Sequence, residues 1–170
     1  MKKFDLITEF LKNVSFESPN VPALFFQKGN EQAQISINID IQVKGADNNL
    51  YMVDLIVCLN SLLNTDNSII FAVVCIYSGL VHVEKCENEE ELRRTLMIDV
   101  PTMIFPSAKT LIEQIIMTSG FPPFKMQSVD FNALYENRQS DSDANPDCTS
   151  PESTLTTKSG KLKKGKLKIG

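Results

Sequence analysis

The sequence predicts an α+β domain with helices packed on one side of an antiparallel sheet, because strand-like runs come first and helix-like runs follow. The clearest run is "QISINIDIQV", in which Ile35, Ile37, Ile39, Ile41 and Val43 alternate with Gln34, Ser36, Asn38, Asp40 and Gln42. A period of two reads as a strand wet on one face. "LYMVDLIVCLNSLL" puts Tyr51, Val53, Leu55, Val57 and Leu59 on a common face, after a "KGADNN" stretch rich in turn formers. "NTDNS" turns the chain again into "IIFAVVCIYSG", apolar on both faces, which "LVHVEKC" prolongs. The three runs form an antiparallel meander whose third run is central.

From Glu87 the pattern changes. "ENEEELRRTLMIDV" starts acidic, as a helix N-terminus prefers, and is expected to close before Pro101. "FPSAKTLIEQIIMTSG" has proline near a helix start, apolar Leu111, Ile112, Ile115 and Ile116, and Gly120 as a stop. "SVDFNALYENR" reads as a last short helix with Asp130 as N-cap. At the other end, Phe4, Ile7, Leu11 and Val14 sit at helical spacing, so periodicity favours a helix up to Asn13, although "NVSFESP" looks extended. Pro19 and Pro22 then exclude a helix across their segment and cannot donate to a ladder. A stiff loop therefore carries the adjacent aromatics Phe25 and Phe26, which need cover from elsewhere.

The chain has 170 residues, 42% of them hydrophobic, enough for one compact domain, taken as residues 1–137, and a tail. Residues 138–170 lack aromatics and hold too few apolar residues to offset ordering entropy, so they are expected to be a disordered tail, acidic and polar first and lysine-rich at the end. Lysines 158, 161, 163, 164, 166 and 168 all follow the last acid, Glu152; residues 1–157 carry 11 basic against 21 acidic side chains, a balance of −10. The domain is thus unsuited to nucleic acid. Asp5, Glu9 and Lys12 interrupt the apolar run that a secretion signal needs, and the longest apolar run, Ile69 to Tyr77, is too short to span a membrane, so a cytoplasmic location is expected. Cys58, Cys75, Cys86 and Cys148 form no C-x-x-C pair and read as reduced thiols.

No residue pattern points to an enzyme. His82 stands alone between valines, and Ser78, Cys75 and Asp99 have no spacing that recruits them to it. No metal-ligand spacing or glycine-rich phosphate loop exists, so neither a metal, a cofactor nor ATP is expected. The acidic run at 87–91 reads as a solvated helix start. Phe121, Phe124, Met126, Phe131 and Tyr135 read as core by default, yet the two proline-marked loops, with Phe25 and Phe26 in one and Phe124 and Met126 in the other, suit an adaptable apolar groove.

"VSFESPNVPALFFQK" and "VPTMIFPSAKTLIEQIIMTSGFPPFKMQSVDFNALYEN" together resemble the SecB export chaperones, over roughly residues 10 to 137. The resemblance implies a four-stranded antiparallel sheet per subunit, a first segment that is a strand ending near Glu17, a long outer helix, and a homotetramer built as a dimer of dimers. It implies that Pro19 to Lys28 crosses over as one wall of a peptide-binding channel. Phe25, Phe26, Phe124, Met126, Leu134 and Tyr135 would then contact unfolded precursor proteins, kept export-competent without ATP and delivered to SecA. The family's SecA-docking surface is acidic and lies on the outer sheet face; Glu17 keeps that character, while Asn13 and Val74 fall where acids are usual. The lysine tail departs from the family, with acidic partners, ribosomes or anionic lipid as candidate contacts. The alternatives are a SecB-like chaperone for a dedicated partner such as an antitoxin, and a carrier of small hydrophobic ligands.

Overall fold

The computed structural model describes residues 4–26, 33–46, 48–84 and 88–140, with the side chains of 139 and 140 left out. Four antiparallel strands, β1 (Phe4–Glu17), β2 (Ala33–Gly45), β3 (Leu50–Leu63) and β4 (Ile69–Val83), lie in the order β1-β4-β3-β2. The two strands that are apolar on both faces occupy the middle, and the strand with the cleanest alternation, β2, lies at an edge. That order follows from how much apolar surface each strand must hide.

The inner face of the sheet buries Val53, Leu55, Val57 and Leu59 of β3 against Val73, Cys75, Val81 and Val83 of β4. Helix α3 (Val100–Thr118) covers them with Val100, Ile104, Ala108, Ile112 and Ile116, one residue per turn on a single stripe. Gly79 makes the close approach possible: a Cβ there would stand 3.2 Å from Ile104 Cγ2 and 3.4 Å from Leu6 Cδ1. Asn48 and Asn49, both at positive φ, turn β2 into β3, as asparagine tolerates better than most residues.

Strand β1 corrects the helical spacing of the first segment. Its register against β4 slips between Leu6 and Thr8 and again between Leu11 and Asn13. Each bulge inserts one residue into a period of two, so Phe4, Leu11 and Val14 share the inner face at intervals that mimic a helix. Ile7, the fourth residue of the count, sits at the first bulge and is 54% exposed.

The helical region is also more continuous than its prolines suggest. Short α2 (Glu89–Arg94), capped by Asn88 Oδ1 accepting from the Glu90 N–H, runs through a π-helical turn at Thr95–Asp99 straight into α3. The Val100 N–H reaches back to the Thr95 carbonyl, widening the coil just before Pro101, whose missing N–H cannot serve a carbonyl of the preceding turn. Pro106 lies inside α3, not at a helix start. Its lost bond would have gone to the Thr102 carbonyl on an exposed flank, where water can replace it.

After β1 the chain must cross to the far edge of the sheet. Ser18 Oγ donates to the Ile70 carbonyl at 2.6 Å and Asn20 Nδ2 to the Ile69 carbonyl at 2.9 Å, tying the start of the crossover to β4. A single helical turn, α1 (Ala23–Phe26), begins directly after Pro22, within what the prolines suggested was all loop. Helix α4 (Phe131–Ser140) runs past the boundary expected at residue 137 and starts on Asp130, whose Oδ1 accepts from the Asn132 and Ala133 N–H groups. Its Arg138 clamps β2, donating to the Ile39 carbonyl at 2.9 Å and to Asp40 Oδ1 at 2.7 Å.

Cys75 is a free core thiol whose pKa burial pushes up to about 11. Cys58, against expectation, is disulfide-bonded. Cys86, Cys148 and the tail from 141 onward, lysines included, lie outside the described residues. Among the described residues no helix is long and apolar enough to cross a membrane.

Candidate functional site

Helix α3 covers the middle of the inner face and leaves the β2 margin open. Ile35 and Ile37 are each 38% exposed there, although their alternation makes them inward-facing. With Ile39 they form one wall of a groove of about 440 Å³; Phe124, Met126 and Val129 of the loop before α4, and Leu134 of α4, form the other. Glu113 of α3 holds that loop, accepting the Met126 N–H at 2.8 Å and pairing with Lys125 at 3.6 Å. Because β2 is an edge strand, the groove runs beside its outer backbone edge, which no fifth strand pairs among the described residues and on which Arg138 holds the Ile39 carbonyl and Asp40 the Ile41 N–H.

One end of the sheet carries an aromatic cluster. Phe121 lies 4.9 Å from Phe71, 6.2 Å from Phe16 and 5.4 Å from Phe25, ring centre to ring centre. The contact docks the crossover turn on the sheet through Phe25, and Gly120 at φ 88 swings Phe121 under it. Phe26 remains 79% exposed.

Of the six groove residues expected from sequence, Phe124, Met126 and Leu134 line one groove, with Met126 as its buried floor. Phe25 and Phe26 stand at the aromatic end. Tyr135 is buried and directs its hydroxyl to Glu90 Oε1 at 3.5 Å, outside the groove lining. Sequence reading missed Ile35, Ile37 and Ile39 as lining; the signal was an alternating strand whose apolar face exceeded what the predicted helices could cover. It also missed a second groove of about 670 Å³, where Val43, Leu92, Leu96 and Met97 make an apolar floor beside Glu89, Glu90 and Arg93.

Among the described residues no helix packs on the outer sheet face. Glu17 is exposed there opposite Ala72, with Asn13 opposite Ile76 and Val74 opposite Ser15, so the three positions do share one surface. At its centre Asp54, 3% exposed, accepts from Lys12 Nζ at 2.7 Å and Ser78 Oγ at 2.6 Å, with Lys44 Nζ at 3.9 Å. Burial works against the Asp54 charge, but the Lys12 and Ser78 hydrogen bonds and the two lysine charges outweigh it and hold the carboxyl below its ordinary pKa. Ser78 is thus committed to Asp54, while Cys75 points to the opposite face, and the two do not converge with His82 on any chemistry. Among the described residues no group of three His, Cys, Asp or Glu side chains could hold a metal.

Two open grooves lie along the β2 margin of a four-stranded sheet covered by helices on one face. The chain belongs to the SecB family: the model of "Preprotein translocase subunit SecB" matches residues 1–142. It is 31% identical over 136 residues to the protein-export protein SecB of Bartonella bacilliformis, covering 79% of this chain and 82% of that one. To the SecB of Caulobacter vibrioides it is 31% identical over 134 residues, covering 79% and 80%. Its fold is similar to that of a Mycobacterium tuberculosis SecB-like chaperone solved with a ChAD peptide from an antitoxin, at a TM-score of 0.62, 11% identity, and coverage of 75% of this chain and 91% of that one. The family is one of protein-export chaperones, not of enzymes.

Proposed function

We propose that this protein is a cytoplasmic, ATP-independent holdase that captures unfolded precursors in the β2 groove and passes them to SecA. The observation that carries the reading is the groove itself: an apolar floor beside the outer edge of β2, along the Ile35–Ile37 stretch that precedes the Ile39 carbonyl held by Arg138 and the Ile41 N–H held by Asp40. An extended client would lay its backbone along that edge and its alternate side chains into the space between Ile35, Ile37 and Leu134. Backbone bonds are blind to sequence, so selection falls on chains that stay unfolded long enough to be caught. Phe25 and Phe26 extend the apolar track at the aromatic end. The exposed β1 edge, with Ile7, Phe10 and Leu11 on or beside it, supports assembly into a dimer of dimers, since an uncovered apolar edge strand invites pairing.

Fluorescence anisotropy with a labelled, unfolded precursor tests the groove. Ile35→Asp with Ile37→Asp should weaken capture at least tenfold while the urea midpoint stays near that of the parent; unchanged capture would remove the groove from the mechanism. A pull-down with SecA at two salt concentrations tests the hand-off. Binding carried mainly by Glu17 should be weak and salt-sensitive, because exposed ion pairs contribute only ~0–1 kcal/mol each. Complete absence of SecA binding at low salt would turn the assignment toward a dedicated partner.

A further inference from the structure

The second groove has no part in the client reading, and its chemistry matches a segment of this same chain. Its floor is Val43 of β2 with Leu92, Leu96 and Met97 of the α2 region, and Glu89 and Glu90 stand on its rim. A fitting occupant presents short aliphatic groups to the floor and cations to the rim. The C-terminal segment "KLKKGKLKI", residues 161–169, has that composition: Leu162, Leu167 and Ile169 among five lysines.

We infer that the lysine-rich C-terminal segment docks in the α2 groove of its own chain. Three observations favour this occupant. The charge is complementary, with Arg93 as the one cation of the groove lining. The attachment point is near, because Tyr135 of α4 touches Glu90 on the groove rim and α4 ends five residues later, at Ser140. The connection is long enough: the 20 residues from 141 to 160 can reach at most about 66 Å at ~3.3 Å per residue, and a covalent tether raises the local concentration of the segment at the groove. A contact too weak to matter between separate molecules is therefore populated within one. Docking covers the exposed parts of Leu92 and Met97 and keeps the lysines away from acidic surfaces elsewhere.

The test uses the full-length chain throughout, with methyl NMR of its leucines, isoleucines and methionines. Replacing the five lysines by glutamine and Leu162 and Leu167 by serine should shift the Leu92, Leu96 and Met97 methyls and leave Ile35, Ile37 and Leu134 unmoved. Raising salt to about 0.5 M should move the parent protein's signals the same way, since screening weakens ion pairs. Glu89→Gln with Glu90→Gln, in which glutamine keeps an acceptor for the Tyr135 hydroxyl, should lower the docked-to-free ratio about fivefold to tenfold. Unshifted groove methyls in the tail variant overturn the inference. Shifts at Ile35 and Ile37 instead would place the segment in the β2 groove, and shifts lost on dilution would place it in a second copy; either result also overturns it. None of these outcomes depends on whether the β2 groove binds precursors.

Discussion

Replacing Asp54 by alanine tests whether a single carboxylate organises the outer face of the sheet. The substitution removes the acceptor of two charge-assisted hydrogen bonds, from Lys12 at 2.7 Å and Ser78 at 2.6 Å. Lys12 is partly exposed and turns to water, which returns most of its share. Ser78 is fully buried and cannot, so its hydroxyl is left without that acceptor, at ~1–3 kcal/mol. Adding the lost charge-assisted bond gives a destabilisation of about 2–4 kcal/mol at pH 7. Lys12→Met should cost only about 1 kcal/mol, because Ser78 and Lys44 still serve the carboxylate. Urea unfolding at pH 7 and again near pH 2.5 reads both. The Asp54 pKa is depressed in the fold, so its contribution is present above the unfolded value near ~3.9 and is lost as pH falls through the lower folded value. The parent and Asp54→Ala curves should therefore approach each other in acid. An equal gap at both pH values, or a gap under about 0.5 kcal/mol at pH 7, would show that the cluster is incidental to stability.

Gly79 faces α3 at close range, so Gly79→Val should destabilise by about 1–3 kcal/mol, whereas Gly79→Ala, which needs Ile104 to give by a few tenths of an ångström, should stay within about 1 kcal/mol of the parent by urea midpoint. Phe25→Ala with Phe26→Ala should weaken capture of an unfolded client in the anisotropy assay and leave the fold standing, since both rings are at least half exposed; Phe131→Ala, at a buried ring, should cost ~3–5 kcal/mol. Light scattering on the purified protein should give about four times 19.0 kDa, and a monomer at micromolar concentration would count against the assembly.

The legible parts of the fold were those governed by one rule at a time. In β2, simple alternation with no bulge placed five residues on one face, and the Asp130 cap followed from local chemistry alone. Strand β1 misled because two bulges imposed a second rule on its period, and α3 misled because a π-helical turn carries the helix into Pro101 while an exposed flank tolerates Pro106. The groove was half visible: Phe124 and Met126 sit in a recognisable proline-marked loop and Leu134 in the short helix after it, but their partners Ile35 and Ile37 look like ordinary core until α3 is seen to stop short of them. Asp54 left a faint trace as the one charge in "LYMVDLIVCL"; its meaning depends on Lys12, 42 positions away, and no local pattern carries that distance.

The strand order has a consequence in time. Phe4 pairs with Val83 and Glu17 with Ala72, so the first strand to be made waits for the last before it has a neighbour. At ~5–20 residues per second of synthesis, that wait is on the order of several seconds. Throughout it Ile7, Phe10 and Leu11 lie on a strand without its partner, an apolar edge open to pairing with any other exposed strand.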